Sequence, residues 1–270
     1  MAYPGGKNGA GVYQTLINLM PPHEAYIEPF LGGGAVMRLK RPARLNIGID
    51  LVPSAVSAMR EAFPAAGVIA GDDDGRRRRS PVPAMGSVRS GSGNGGNGDE
   101  RSLSAETVRN GDAAAFLFEC RDGIEFLRKY AFGGRELVYC DPPYLMETRS
   151  GRRLYEYEMS AGQHRRLLRC LRSLPCAVII SGYWSEMYAQ ELNGWTTTTF
   201  QSMTRGGRQA TEWLWFNFPQ PIALHDYCFL GKDFRERERI KRKKARWVER
   251  LRTMPILERR ALLCAIAETA

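Results

Sequence analysis

Short apolar segments alternate with helical patterns along most of this chain, and the alternation limits the fold more than any other feature. Seven short segments predict strands, at residues 25–30, 45–50, 116–120, 137–140, 177–181, 197–200 and 213–218, and most of them are apolar. Helical patterns fall at residues 12–20, 35–40, 54–62, 124–130 and 161–174. Strands that alternate with helices form a mostly parallel sheet with helices on both faces. The pattern therefore predicts an α/β, Rossmann-like fold.

Two regions depart from the alternation. Residues 72–101 are rich in Gly, Ser, Asn and Arg and hold only four apolar residues, so they cannot form a core of their own. We predict a flexible insertion at about 71–110 within a domain spanning 1–221; it serves as a spacer or becomes ordered on phosphates. After Pro221 the pattern changes to a basic helix followed by a short amphipathic helix. Residues 222–270 are therefore predicted to form a separate helical module.

Positive charge is concentrated in that module. The chain has a net charge of +10, and residues 232–252 hold eleven Lys or Arg against four Asp or Glu. Clustered basic side chains bind polyanions, because they release the counterions that condense on phosphates. The cluster predicts contact with a nucleic acid. A solvated helix face or contact with a membrane surface would give the same composition.

Other functional classes find little support. The six cysteines form no CxxC pair, and only three histidines could join them, so neither a disulfide framework nor a metal site is expected. No apolar run is long enough to cross a membrane, and the N-terminal residues lack the apolar core of a signal peptide. We expect a cytoplasmic protein that binds neither a metal nor a membrane.

A glycine-rich turn follows the first predicted strand. Gly32, Gly33 and Gly34 lie between this strand and a helix, and Asp50 ends the next strand. Glycines there let the backbone approach a ligand, and the carboxylate can accept both hydroxyls of a ribose. The arrangement suits an adenosine cofactor. A nicotinamide dinucleotide fits less well, since Met37 occupies the third glycine position of its motif; a plain tight turn is the other reading.

The segment Asp141-Pro142-Pro143-Tyr144 follows the fourth predicted strand. Two prolines stiffen the backbone and remove two donors, which leaves a site rich in acceptors. The Asp141 carboxylate and the Pro142 carbonyl could accept the two protons of one amino group, while the Tyr144 ring offers a face for a planar base. A purely structural turn is the alternative.

These motifs, in this order, resemble the Dam-like (D12 class, α group) DNA adenine-N6 methyltransferases. The resemblance covers about 1–60 and 116–218, and begins with Tyr3-Pro4-Gly5-Gly6-Lys7. It implies a class I SAM-dependent methyltransferase-like fold, S-adenosyl-L-methionine as cofactor, and double-stranded DNA as the partner. The implied reaction is site-specific methyl transfer to N6 of a flipped-out adenine.

The resemblance also implies roles for individual residues. The catalytic group is Asp141, Pro142, Pro143 and Tyr144. The cofactor would contact Tyr3, Lys7, Phe30, Gly32, Gly34, Asp50, Asp122 and Asp141. Of these, Asp122 could equally be an ordinary helix cap, since it follows a strand and precedes a helix.

The usual target-recognition region of this family is replaced here by the insertion, so sequence reading must come from other residues. The candidates for DNA contact are Arg149, Arg205, Arg208, Arg235, Arg239, Lys243 and Arg246. Three alternatives to DNA adenine methylation stay open. They are methylation of adenine in RNA, methylation of cytosine N4 in DNA, and a catalytically inactive, methylase-like DNA-binding regulator.

Overall fold

The structure, a computed structural model, describes residues 7, 9, 11–64, 114–149, 155–203, 207 and 209–269. Tyr3, Arg205, Arg208 and the predicted insertion at about 71–110 lie outside these residues. No helix among the described residues is long and apolar enough to cross a membrane.

Seven strands in the described part of the chain form one sheet. They are β1 (Ala25–Glu28), β2 (Leu45–Asp50), β3 (Ala115–Cys120), β4 (Glu136–Cys140), β5 (Ala177–Gly182), β6 (Thr196–Met203) and β7 (Gln209–Phe216). Their order is β3-β2-β1-β4-β5-β7-β6. All neighbouring pairs are parallel except the two that β7 makes with β5 and β6. The predicted α/β fold with a mostly parallel sheet is confirmed.

Helices cover both faces of this sheet. They are α1 (Val12–Ile17), α2 (Ala35–Leu39), α3 (Pro53–Ala62), α4 (Gly123–Lys129), α5 (Ala161–Arg172) and α6 (Glu186–Glu191). Two further helices follow the sheet, α7 (Phe234–Thr253) and α8 (Ile256–Glu268). Neighbouring strand residues point to opposite faces, so Tyr26 packs with α1, α2 and α3 while Ile27 packs with α4, α5 and α6. Sequence analysis did not predict α6, which has only six residues.

The apolar run near the end of β7 belongs to the core. Leu214 and Phe216 lie in one face of the sheet and Trp215 in the other, and all three are buried. A strand inside the sheet must be buried on both faces, because its successive side chains point in opposite directions.

The C-terminal segment is anchored to the domain before its helices begin. The Asn18 side chain donates a hydrogen bond to the Phe229 carbonyl at 2.7 Å, and the His225 N–H donates to the Met20 carbonyl at 2.9 Å. The Arg41 N–H donates to the Asp226 carboxylate at 2.8 Å. Beyond these contacts, neither α7 nor α8 has a buried residue. The basic helix therefore presents its side chains to solvent.

Candidate active site

The strand order reverses between β1 and β4, and both sequence motifs lie at that point. In open α/β sheets, ligands bind beyond the carboxyl ends of the strands where the order reverses. The two strands are paired in parallel with Ile27 beside Val138. The glycine turn after β1 and the Asp-Pro-Pro-Tyr segment after β4 therefore leave the same edge of the sheet, from strands about 4.8 Å apart.

The glycine turn has the backbone conformation that its residues favour. Gly32 and Gly34 have φ of 50° and 60°, in the left-handed region that other residues rarely adopt. A Cβ on Gly34 would lie 2.4 Å from the Met59 side chain. The turn thus needs glycine at this position for conformation and for space.

Asp50 braces the turn. One carboxylate oxygen accepts the Gly32 N–H at 2.7 Å, and the other accepts the Val52 N–H at 2.8 Å. Burial raises the pKa of Asp50, and the two backbone donors act in the opposite direction. Asp50 therefore sets the shape of the loop, and its predicted contact with a ribose stays a prediction.

Asp122 is the N-cap of α4, because its carboxylate accepts the Glu125 N–H at 2.8 Å. The helix-cap role considered for it is thus observed. Asp122 lies two residues after β3, and Asp50 pairs with Cys120 at the end of that strand. Both aspartates are therefore at the same sheet edge as the glycine turn, and contact between Asp122 and a cofactor stays a prediction.

A buried charge cluster lies at the end of β4. The Lys7 ammonium contacts Asp141 Oδ1 at 2.8 Å, Tyr144 Oη at 2.6 Å and Glu212 Oε2 at 3.0 Å. Ser181 Oγ also donates to Asp141 Oδ1, at 2.7 Å. The cluster joins the N-terminal segment to β4, β5 and β7, and it brings together three of the predicted residues, Lys7, Asp141 and Tyr144.

The ionisation of the cluster follows from these contacts. Burial alone would lower the pKa of Lys7, but Asp141 and Glu212 raise it above its ordinary value, so the amine stays protonated. Burial raises the pKa of Asp141, and the Glu212 charge adds to this against the opposing effect of Lys7. Burial also opposes ionisation of Glu212, yet Lys7 and the hydrogen bonds from Ser202, Tyr144 and Lys7 bring its pKa below the ordinary value.

The Tyr144 side chain is fixed by contacts with neighbouring side chains. Its hydroxyl donates to Glu212 Oε2 at 2.5 Å, and its ring meets the Tyr183 ring edge to face at 4.8 Å. The residue is only 6% exposed. Neighbouring side chains cover its ring in the structure, and stacking of a planar base on Tyr144 stays a prediction.

Sequence reasoning missed three residues at this site. Glu212 and Ser181 contact the cluster directly, and the pKa of Tyr155 is raised to about 12 by burial and by the nearby Asp141 charge. A signal existed for Glu212 alone. It is a carboxylate two residues before Leu214, on the same face of a strand whose other residues on that face are apolar.

The predicted DNA-contacting residues have different surroundings. Arg149 forms an ion pair with Glu158 at 2.5 Å, and its side chain is only 5% exposed, so in this conformation it braces the segment after β4. By contrast, four predicted residues are exposed on α7 at spacings of three or four, which places them on one helix face: Arg235, Arg239, Lys243 and Arg246. Contact with DNA stays a prediction for all of them.

Comparison with protein families and with curated proteins found no match. Among solved structures, the chain is similar to a precorrin-8w decarboxylase of Methanobacterium thermoautotrophicum, with 11% identity over 80% of this chain and 94% of that chain and a TM-score of 0.42. A magnesium protoporphyrin IX methyltransferase from Synechocystis, solved with bound SAM, shows 13% identity over 77% and 76% of the two chains and a TM-score of 0.39. An rRNA methylase from Streptococcus thermophilus shows 9% identity over 77% and 94%, with a TM-score of 0.41. At these values, the substrates of those proteins do not transfer to this chain.

Proposed function

We propose that this protein is an S-adenosyl-L-methionine-dependent methyltransferase that acts on N6 of adenine in double-stranded DNA. One observation carries the proposal. An acceptor-rich Asp-Pro-Pro-Tyr segment and a glycine turn leave adjacent parallel strands where the strand order reverses. This arrangement brings a group that grips an amino nitrogen beside a loop that admits a cofactor.

The acceptor pair remains available in the described part of the chain. Lys7 and Ser181 both engage Oδ1 of Asp141. No hydrogen bond among the described residues engages Asp141 Oδ2 or the Pro142 carbonyl. These two oxygens can therefore accept the two protons of one exocyclic amino group.

The site also fits the charge of the proposed cofactor. S-adenosyl-L-methionine supplies an electrophilic methyl group on a positively charged sulfonium. Asp141 and Glu212 share the single ammonium of Lys7, so the cluster has a net negative charge when both carboxylates are ionised. The left-handed Gly32 and Gly34 add a loop whose backbone a ligand can approach closely.

The residues at β4 would promote transfer by positioning. The lone pair of an adenine amino group is delocalised into the ring, which makes the nitrogen a poor nucleophile. Two acceptors that hold both amino protons favour a pyramidal nitrogen and direct its lone pair away from them. Asp141 Oδ2 then takes the proton that the nitrogen loses, without a covalent enzyme intermediate.

The target base must leave the double helix to reach this edge of the sheet, because its amino group is inaccessible inside a duplex. Tyr144 is buried against Tyr183, so stacking of the base on Tyr144 requires Tyr183 to move. The exposed basic face of α7 supports contact with the phosphate backbone. Adenine in RNA and cytosine N4 present similar amino groups, so the test must include them.

The decisive assay incubates the protein with a methyl-labelled cofactor and either duplex DNA or RNA, followed by nucleoside analysis. We expect label in N6-methyl-2′-deoxyadenosine from DNA, and no labelled nucleoside from RNA. The Asp141→Asn variant should lose at least about 100-fold in rate, because Asn cannot take the amino proton, and its DNA affinity should stay within a few fold. The matched control is Glu61→Gln, an exposed acid in the last turn of α3, which should keep full activity.

Label in another nucleoside would show that the proposed substrate is wrong but that the protein does catalyse methyl transfer. An active Asp141→Asn variant would remove Asp141 from the mechanism. Tight DNA binding with no transfer to any substrate would instead favour the inactive, regulatory reading.

A further inference from the structure

Glu212 is a charged residue in an apolar environment. It lies on β7, on the same face as the fully buried Leu214 and Phe216, and is itself only 7% exposed. A buried carboxylate is costly unless it is paired and hydrogen-bonded. Its partners are Lys7 and Tyr144, which both belong to the proposed active site, and Ser202 on the neighbouring strand β6.

Glu212 changes the charge balance around Asp141. Both carboxylates contact the same Lys7 nitrogen, at 2.8 Å for Asp141 and 3.0 Å for Glu212. Lys7 can neutralise one of them only. Without Glu212, Lys7 and Asp141 would form a neutral pair, and Asp141 would attract a positive charge far less.

We propose that Glu212 is a positioning residue for methyl transfer, because it shares the Lys7 ammonium with Asp141 and so leaves one negative charge uncompensated beside the substrate amino group. This inference rests on the proposed function. During transfer, the positive charge of the methyl donor moves onto the amino nitrogen, which Asp141 holds. An uncompensated negative charge at that place stabilises the transition state, in which the positive charge has moved closer.

The proposal makes a signed prediction about pH. Five titratable groups from other elements interact with Asp141 or share its surroundings: Lys7, Glu28 on β1, Tyr155, Tyr188 on α6 and Glu212. Besides Glu212, Glu28 is the other carboxylic acid among these groups. Burial raises its pKa well above the ordinary value, which disfavours its charged form. Because the Glu212 charge raises the pKa of Asp141, removal of that charge lowers this pKa, and activity should persist to lower pH.

The expected size of this change follows from the geometry. Since both carboxylates contact one nitrogen, the two oxygens are at most about 6 Å apart. At an effective dielectric constant of about 20, repulsion at that distance corresponds to a pKa shift of about two units. In Glu212→Gln, the acidic limb of the kcat profile should move down by about one pH unit or more, while kcat at the plateau falls by at least about tenfold.

Two further variants separate charge from shape. Glu212→Asp keeps the charge, so it should retain the acidic limb of the wild-type enzyme even if kcat is reduced. Tyr144→Phe removes the hydroxyl that donates a hydrogen bond to Glu212 but leaves the contact between Lys7 and Glu212 in place. Its acidic limb should therefore also stay where it is, whatever its rate.

A binding measurement completes the test without activity. By calorimetry, the wild-type protein should bind S-adenosyl-L-methionine more tightly than S-adenosyl-L-homocysteine, which lacks the sulfonium charge, and Glu212→Gln should reduce this ratio of affinities by at least about fivefold. A ratio and an acidic limb that both match wild type would refute the role of Glu212 and leave the proposed function intact. A wild-type protein that binds neither compound would refute the proposed function and this inference together.

Discussion

Replacement of Lys7 by Met tests whether the buried cluster is organised as described. Lys7 is the only cation that contacts both Asp141 and Glu212 among the described residues. Methionine has a similar length but no charge, so Lys7→Met would leave two carboxylates facing each other without a shared ammonium. We expect a large loss of stability.

The magnitude follows from burial. The side chains of Lys7, Asp141 and Glu212 are 5%, 18% and 9% exposed. Removal of one partner from a buried ion pair costs about 3 to 5 kcal/mol in the free energy of unfolding. For a domain of this size, each kcal/mol lowers Tm by about 2 to 4 °C. Lys7→Met should therefore lower Tm by about 10 °C at pH 8.

The loss should depend on pH. In Lys7→Met, the pKa values of Asp141 and Glu212 in the folded state rise above their values in the unfolded chain. Such groups weaken the folded state when they are ionised, and the penalty disappears once both are protonated. The Tm deficit should thus be full at pH 8 and narrow as pH falls towards about 4, the ordinary range for carboxyl groups.

Differential scanning calorimetry of wild type and variant at several pH values measures both effects. Lys129→Met is the matched control, because Lys129 pairs with Glu125 on the surface, where both side chains are more than half exposed. Ion pairs at the solvent-exposed surface contribute little to stability, so the Tm of this variant should hardly change. A Lys7→Met variant with wild-type Tm, or with a deficit that does not vary with pH, would refute the account of the cluster.

Two further predictions concern the cofactor loop and the basic helix. Gly34→Ala should cost about 1 to 2 kcal/mol in the free energy of unfolding, because residue 34 has a left-handed backbone. It should also weaken cofactor binding, because the added Cβ meets Met59. Gly194 has φ of 86° but no atom within 4 Å of an added Cβ, so Gly194→Ala should lose stability and keep its affinity for the cofactor. On α7, charge removal from one face should flatten the dependence of DNA affinity on salt by about 0.9 per phosphate contact, measured as log K against log salt. The two sets of Gln substitutions to compare, on opposite faces of the helix, are Arg239, Lys243 and Arg246 against Lys241, Lys244 and Arg252. Equal slopes for both sets would mean that this face does not contact DNA, and unchanged cofactor binding in Gly34→Ala would dismiss the loop as the cofactor site.

Much of the fold was accessible from local patterns. All seven predicted strands are present, with ends shifted by at most four residues. Strands inside the sheet are covered on both faces and are therefore apolar runs, whereas the edge strand β6 is largely exposed. Ser160 and Gln163 form a capping box at the start of α5, and the Ser-x-x-Gln spacing that gives it is visible in the local sequence. The six-residue α6 was missed because it is too short to show a helical period.

The sequence by itself determined the order of the elements, the glycine turn and the acceptor-rich segment after β4. Each of these depends on neighbouring residues, whose steric and hydrogen-bonding preferences act over a few positions. Only the tertiary structure decided that Lys7 meets Tyr144, which is 137 residues away, and that Tyr144 meets Glu212 another 68 residues on. It also decided that Arg149 is paired and buried. Such contacts depend on which strands become neighbours in the sheet, and no local pattern carries that information.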